Sequence, residues 1–134
     1  MDEIKKQEMK YIETNPGQLE RSKELAERIS AILDDKKARD IKILEITKQT
    51  IIADYFVVAT GNSSTHVRAL AGDVEFLMKE KFQTAPARVN GHGNGDWIAL
   101  DYSSVIAHIF GSESRDYYKL EKLWGEGQII DYLS

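Results

Sequence analysis

The chain has 134 residues, the size of one domain, with 42% apolar side chains, 30% charged side chains and no cysteine. Those proportions are ordinary for a soluble globular protein that buries one core without staples, and they exclude disulfides, zinc–thiolate centres and a cysteine nucleophile. The formal net charge of −4 is unevenly placed: residues 1–90 carry 15 basic and 15 acidic side chains, whereas residues 91–134 set Arg115, Lys119 and Lys122 against seven acids.

Residues 1–17 read as an N-terminal extension. Ile4, Met9 and Ile12 give a weak helical spacing there, and Asn15-Pro16-Gly17 breaks it. The opening MDEIKKQEMKYIE mixes acids with bases and has no apolar core, unlike a secretory signal or a transit peptide. No apolar run approaches the ~18 residues that span a bilayer, so a cytoplasmic location without membrane attachment is expected. The main domain is placed at residues 18–127, followed by a tail at 128–134.

Within that domain, Leu19, Leu25, Ile29, Ile32 and Leu33 recur at helical spacing and predict an amphipathic helix over about 18–38. Ile41–Ile46 alternates apolar and polar side chains and reads as a strand. Asp54–Thr60 is an aromatic and β-branched run, as a strand buried on both faces would be. Asn62-Ser63-Ser64-Thr65 offers N-cap candidates for a second helix running to Phe82. Further strands are expected near Ala87–His92, at Trp97–Tyr102 after the glycine-rich GHGNGD turn, and at Val105–Phe110. A short helix from Arg115 to Trp124 closes the pattern. The order is α-β-β-α-β-β-β-α, which predicts a single α/β domain: a mixed, roughly five-stranded sheet flanked by helices.

Few features suggest chemistry. TGNSST turns from strand to helix as a phosphate-cradling loop does, but it lacks the lysine and second glycine of a P-loop, so turn and cap is the plainer reading. Asp73 and Glu75, ten residues and more beyond Gly61-Asn62, resemble a nucleotidyltransferase carboxylate pair that would hold magnesium. They fall inside the strongest helical pattern, and residues two apart on a helix point about 200° from one another. They cannot close on one ion. His66, His92 and His108 share no metal-ligand spacing, and no serine sits in a nucleophile elbow. No cofactor or metal site is therefore expected, and the reading is of a binding protein rather than an enzyme. A nucleotide-binding or nucleotidyltransferase-type enzyme stands as the alternative.

The C-terminal third combines acids with Trp97, Tyr102, Tyr117, Tyr118, Trp124 and Tyr132. An acidic surface gains nothing from counterion release on phosphates, so little direct nucleic-acid binding is expected, and a basic protein suits it better. Large aromatics serve as interface anchors, although core filling is the commoner use and is preferred for Trp124 and one of the paired tyrosines. Alternation along WIALDY places Trp97, Ala99 and Asp101 on one face and Ile98, Leu100 and Tyr102 on the other. The second face reads as core and the first as a docking surface.

LDDKKARDIKIL, ADYFVVATGNSSTHVRALAGDVE, WIALDYSSVIAHIF and SRDYYKLEKLWG resemble, in order and spacing, the motifs of the ribosomal silencing factor (Iojap-like) family over roughly residues 20–125. The resemblance implies a nucleotidyltransferase-like architecture without its active site, commonly as a homodimer. It further implies binding to the large ribosomal subunit through its fourteenth protein, which blocks joining of the small subunit and represses translation when nutrients are scarce. Carried onto this chain, the implied contacts are Trp97, Asp101 and Tyr102, with His108, Arg115 and Tyr118 beside them. For Tyr102 the resemblance and the alternation disagree.

Overall fold

A computed structural model describes residues 17–47, 53–91, 96–112 and 128–131. Helix α1 spans Gln18–Asp35 and buries Ser22, Ala26, Ile29, Ser30, Ile32 and Leu33; of the stripe its sequence spacing predicts, Ile29, Ile32 and Leu33 are buried, and Leu19 and Leu25 pack half-buried at its edge. It stops short of residue 38 because Lys37 turns into the left-handed region at φ 71°. The turn is closed by Lys37 N–H donating to the Asp34 carbonyl at 3.0 Å and Ala38 N–H to the Leu33 carbonyl at 2.9 Å. Those two bonds form a Schellman cap with lysine where glycine is usual. Helix α2, Ser64–Phe82, starts at Ser63, whose hydroxyl accepts the His66 N–H at 3.1 Å.

Strands β1 (Arg39–Glu45), β2 (Tyr55–Gly61), β3 (Arg88–Asn90), β4 (Trp97–Asp101), β5 (Val105–Gly111) and β6 (Gln128–Asp131) form one sheet in the order β3-β4-β5-β2-β1-β6. Only β2 and β5 run parallel, and the other neighbours are antiparallel, so the sheet is mixed as expected. It has one strand more than the sequence pattern indicated. The extra strand, β6, lies within residues 128–134, which were expected to be a tail, and pairs with β1. Four residues are too few to display a period, so pairing rather than pattern defines that strand. The weak helical spacing of residues 2–13 and the expected helix at Arg115–Trp124 lie outside the described residues.

Both helices pack on one face of the sheet. Their core joins Ile29, Leu33, Val67, Leu70, Val74 and Met78 to Ile43, Val57, Ile98, Leu100, Ala107 and Ile109. A smaller cluster occupies the opposite face, with Leu44, Ile46, Phe56, Val58 and Phe110 at its centre and Trp97 and Ile106 packed against it. Strand β2 is buried at every position because it contributes to both. A buried hydrogen bond of 2.6 Å from the Ser22 hydroxyl to the Asp54 carboxylate ties α1 to the entry of β2. No helix among the described residues is long and apolar enough to cross a membrane.

Gly61 ends β2 where α2 crosses close by; a Cβ there would stand 2.8 Å from Val67 Cγ2 and 3.0 Å from its nitrogen. Gly72, in the middle of α2, faces open space. The two should respond oppositely to alanine in urea unfolding. Gly61→Ala is expected to cost about 1–3 kcal/mol through overpacking, and Gly72→Ala to gain about 1 kcal/mol of helix propensity.

Candidate functional site

Strand β4 alternates as its sequence implies: Ile98 and Leu100 are buried, whereas Trp97, Ala99 and Asp101 are half-buried. Its antiparallel register sets Trp97 opposite Phe110, Ala99 opposite His108 and Asp101 opposite Ile106. Parallel pairing then places Phe56 beside Ile106 and Val58 beside His108. All these side chains share the face that carries neither α1 nor α2. Strand geometry alone therefore gathers an aromatic cluster there.

Within it, the Trp97 ring stacks on Phe110 with centroids 5.3 Å apart, and Phe56 meets His108 edge-on at 4.6 Å. The Trp97 indole N–H donates to His108 Nδ1 at 3.1 Å. An indole nitrogen can only donate, so Nδ1 must be unprotonated and the neutral ring carries its hydrogen on Nε2. That Nε2 is buried without a hydrogen-bond partner among the described residues. An unsatisfied buried donor typically costs about 1–3 kcal/mol. Burial pushes the His108 pKa down from 6.5 to about 4, against a smaller upward pull from the Asp101 carboxylate.

Asp101 forms the polar end of the face. Its Oδ1 accepts the Ser103 N–H at 2.8 Å, which fixes the β4–β5 turn where Ser103 takes φ 72°. Its Oδ2 lies 3.8 Å from a guanidinium nitrogen of Arg88, whose side chain is 75% exposed. So open a pair contributes little to stability. A partner could therefore engage both side chains without breaking a strong internal contact.

Tyr102 does not belong to this surface. It is 7% exposed and packs in the helix-side core, as the alternation required. Burial, with Glu75 nearby, holds its phenol well above the usual tyrosine range, and the hydroxyl has no hydrogen-bond partner among the described residues. His108 is also buried, at 8% exposure, behind Trp97. Of the six residues carried over from the family, Trp97 and Asp101 lie on an accessible face, whereas Arg115 and Tyr118 fall outside the described residues. Phe56 and Phe110 complete the cluster. Only the strand register could have revealed them, because sequence alone cannot separate two core faces of a strand buried throughout.

The strand-to-helix turn at TGNSST is held by Ser63 and His66. Asn62 N–H donates to His66 Nδ1 at 2.9 Å, the His66 N–H goes to Ser63, and His66 Nε2–H reaches the Lys36 carbonyl at 3.0 Å. His66 thus bridges α2 to the end of α1. Three backbone donors of the turn, those of Asn62, His66 and Val67, are thus engaged within it. Asp73 and Glu75 both sit within α2, where they diverge.

A family model described as "Ribosomal silencing factor during starvation" matches residues 19–133. The ribosomal silencing factor of Bacillus subtilis is 34% identical over 102 residues, which cover 76% of this chain and 86% of that protein. A mouse protein named "Mitochondrial assembly of ribosomal large subunit protein 1" is 31% identical over 109 residues, covering 78% of this chain and 46% of its own length. A crystal structure of a Chromobacterium violaceum protein superimposes with a TM-score of 0.72 at 35% identity, covering 83% of this chain and 88% of that one.

The low pKa of His108 has a measurable consequence. Unfolding lets the ring recover its ordinary value of 6.5, so between pH 6.5 and about 4 the unfolded chain binds a proton that the folded chain refuses. Stability conferred by the neutral ring is thus complete above 6.5 and is lost as pH falls towards 4. The loss is on the order of 3 kcal/mol, since each pKa unit corresponds to about 1.4 kcal/mol. In urea unfolding at pH 7 and pH 4.5, wild type is expected to lose more stability than His108→Asn, and equal losses would refute the assignment.

Proposed function

The chain belongs to the ribosomal silencing factor family, and on that premise we propose that it represses translation by occupying the large ribosomal subunit. In this reading it binds the fourteenth large-subunit protein through the face around Trp97 and Asp101 and fills space that the small subunit needs for joining. The task is steric. It requires affinity and position, and no group that turns over.

The observation that carries the reading is the make-up of that face. A half-buried indole sits on a packed aromatic base and a carboxylate stands on the same face of its strand. An aromatic ring held rigid by its neighbours loses little entropy on binding, which is what makes an interface anchor. The excess of four negative charges in residues 91–134 suits a basic partner and would speed the encounter. A standard interface hides about 800 Å² on each side, an area within reach of a domain this size. The name of the mouse relative points to the same subunit. We extend the reading to a homodimer in the free state and to a cytoplasmic setting.

Combining Trp97→Ala with Asp101→Lys is expected to abolish co-sedimentation with purified large subunits while circular dichroism stays that of the wild type. Trp97→Ala alone should weaken binding about 30-fold or more, as loss of an aromatic anchor commonly does. Unimpaired binding by the folded double variant would remove the site from this face. Adding wild-type protein to separated subunits should lower the yield of whole ribosomes.

A further inference from the structure

We infer that His108 is the positioning residue of the docking face: it holds the Trp97 indole in its binding pose through the Nδ1 acceptor, without touching the partner itself. The inference rests on the docking reading above and concerns how that surface is built.

The position is apolar in every direction the sheet defines. Ala99 and Val58 flank His108 across the two ladders, Ile106 and Phe110 precede and follow it on the same face, and Phe56 meets its ring edge-on. A core that only needed filling would take leucine or phenylalanine here. Histidine instead brings a desolvated ring, a buried Nε2–H with no partner among the described residues, and sensitivity to acid. What histidine adds over an apolar ring, among the described residues, is the acceptor at Nδ1, which receives the Trp97 N–H at 3.1 Å. Phe110 supports the same indole from its flat face. Stacking on Phe110 restrains the tilt of the indole, and the hydrogen bond restrains its rotation in plane, so the two contacts together define a single pose. At 8% exposure His108 lies too deep to act as a contact in its own right. Asp101, also on the face, is the charged group that bears on His108, and its upward pull on the ring pKa is outweighed by burial.

Two substitutions separate the acceptor from the bulk. In His108→Asn the side-chain amide would place an oxygen close to where Nδ1 stands, so an acceptor is kept, whereas His108→Leu keeps volume and loses it. The readouts are co-sedimentation with large subunits and the indole N–H resonance of Trp97 in a nitrogen–proton NMR spectrum of the free protein, identified by its absence in Trp97→Phe. His108→Leu is expected to fold, to shift that resonance upfield with faster solvent exchange, and to bind about tenfold more weakly, the scale of one net hydrogen bond. His108→Asn is expected to keep the resonance protected and affinity within about threefold of wild type.

Wild-type affinity in His108→Leu would overturn the inference. So would an equal loss in both variants with the indole signal of His108→Asn unchanged, because His108 would then be a direct contact. Wild-type protein that failed to sediment with large subunits would refute the docking reading instead. The indole resonance, measured without ribosomes, still decides whether His108 holds Trp97.

Discussion

The two-residue period of β4 and β5, locked in antiparallel register, is the constraint from which the candidate site follows. It sends Ile98, Leu100, Ala107 and Ile109 towards the helices and Trp97, Ala99, Asp101, His108 and Phe110 away from them. A slip of one residue would exchange the two sets. The Asp101 carboxylate would then point into the helix-side core, and Leu100 would take its place beside Arg88. The cost of burying that charge unpaired fixes the register more firmly than any single apolar contact does. Both helices lie on one side, so stability and surface chemistry are assigned to opposite faces of one sheet.

Much of this was legible in the sequence. Helical spacing located α1 and α2, the aromatic and β-branched run at Asp54–Thr60 signalled the buried strand found at Tyr55–Gly61, and WIALDY foretold which side of β4 would be core. Tyr102 is instructive because two arguments disagreed over it. Family resemblance made it a contact, alternation made it core, and it is core, because the residue following β4 continues the same pleat into the turn. The helix end at Asp35 was overestimated because a lysine in the left-handed conformation leaves no mark in composition. Strand β6 and the link from His66 to Lys36 depend on contacts between distant segments, which local periodicity cannot register. The pairing of Trp97 with His108 belongs to the same class: eleven residues separate them, and only the hairpin brings them together.

Buried polar atoms without a partner among the described residues occur on both sides of the sheet, Ser30 Oγ and Tyr102 Oη towards the helices and His108 Nε2 away from them, but only His108 adjoins the proposed anchor. Ile43, Val57 and Ile109 contribute to stability without competing demands, and substitutions there are felt through volume alone. Around Trp97, packing competes with the requirement for a polar acceptor, a half-exposed ring and a carboxylate held near the surface. A sequence selected only for stability would have no orphaned imidazole donor at His108. Local departures from the best core chemistry are expected at a functional surface, and here the departure coincides with the aromatic base of the proposed anchor.

Under the steric mechanism proposed above, so modest a constellation suffices. A catalyst must bind a transition state more tightly than its substrate, which demands convergent charged or nucleophilic groups. An occluding protein needs only a stable pose on its partner. The carboxylates Asp73 and Glu75 diverge on α2, and the Asn62 and His66 backbone donors are engaged by His66 and Ser63, so the helix and its cap give these residues structural roles. What the fold does present is an indole packed on aromatic rings and a carboxylate on one face of a hydrogen-bonded sheet. Such a surface discriminates by shape and sign together: a basic partner with a recess for the indole satisfies both, whereas a phosphate backbone would meet Asp101 with like charge.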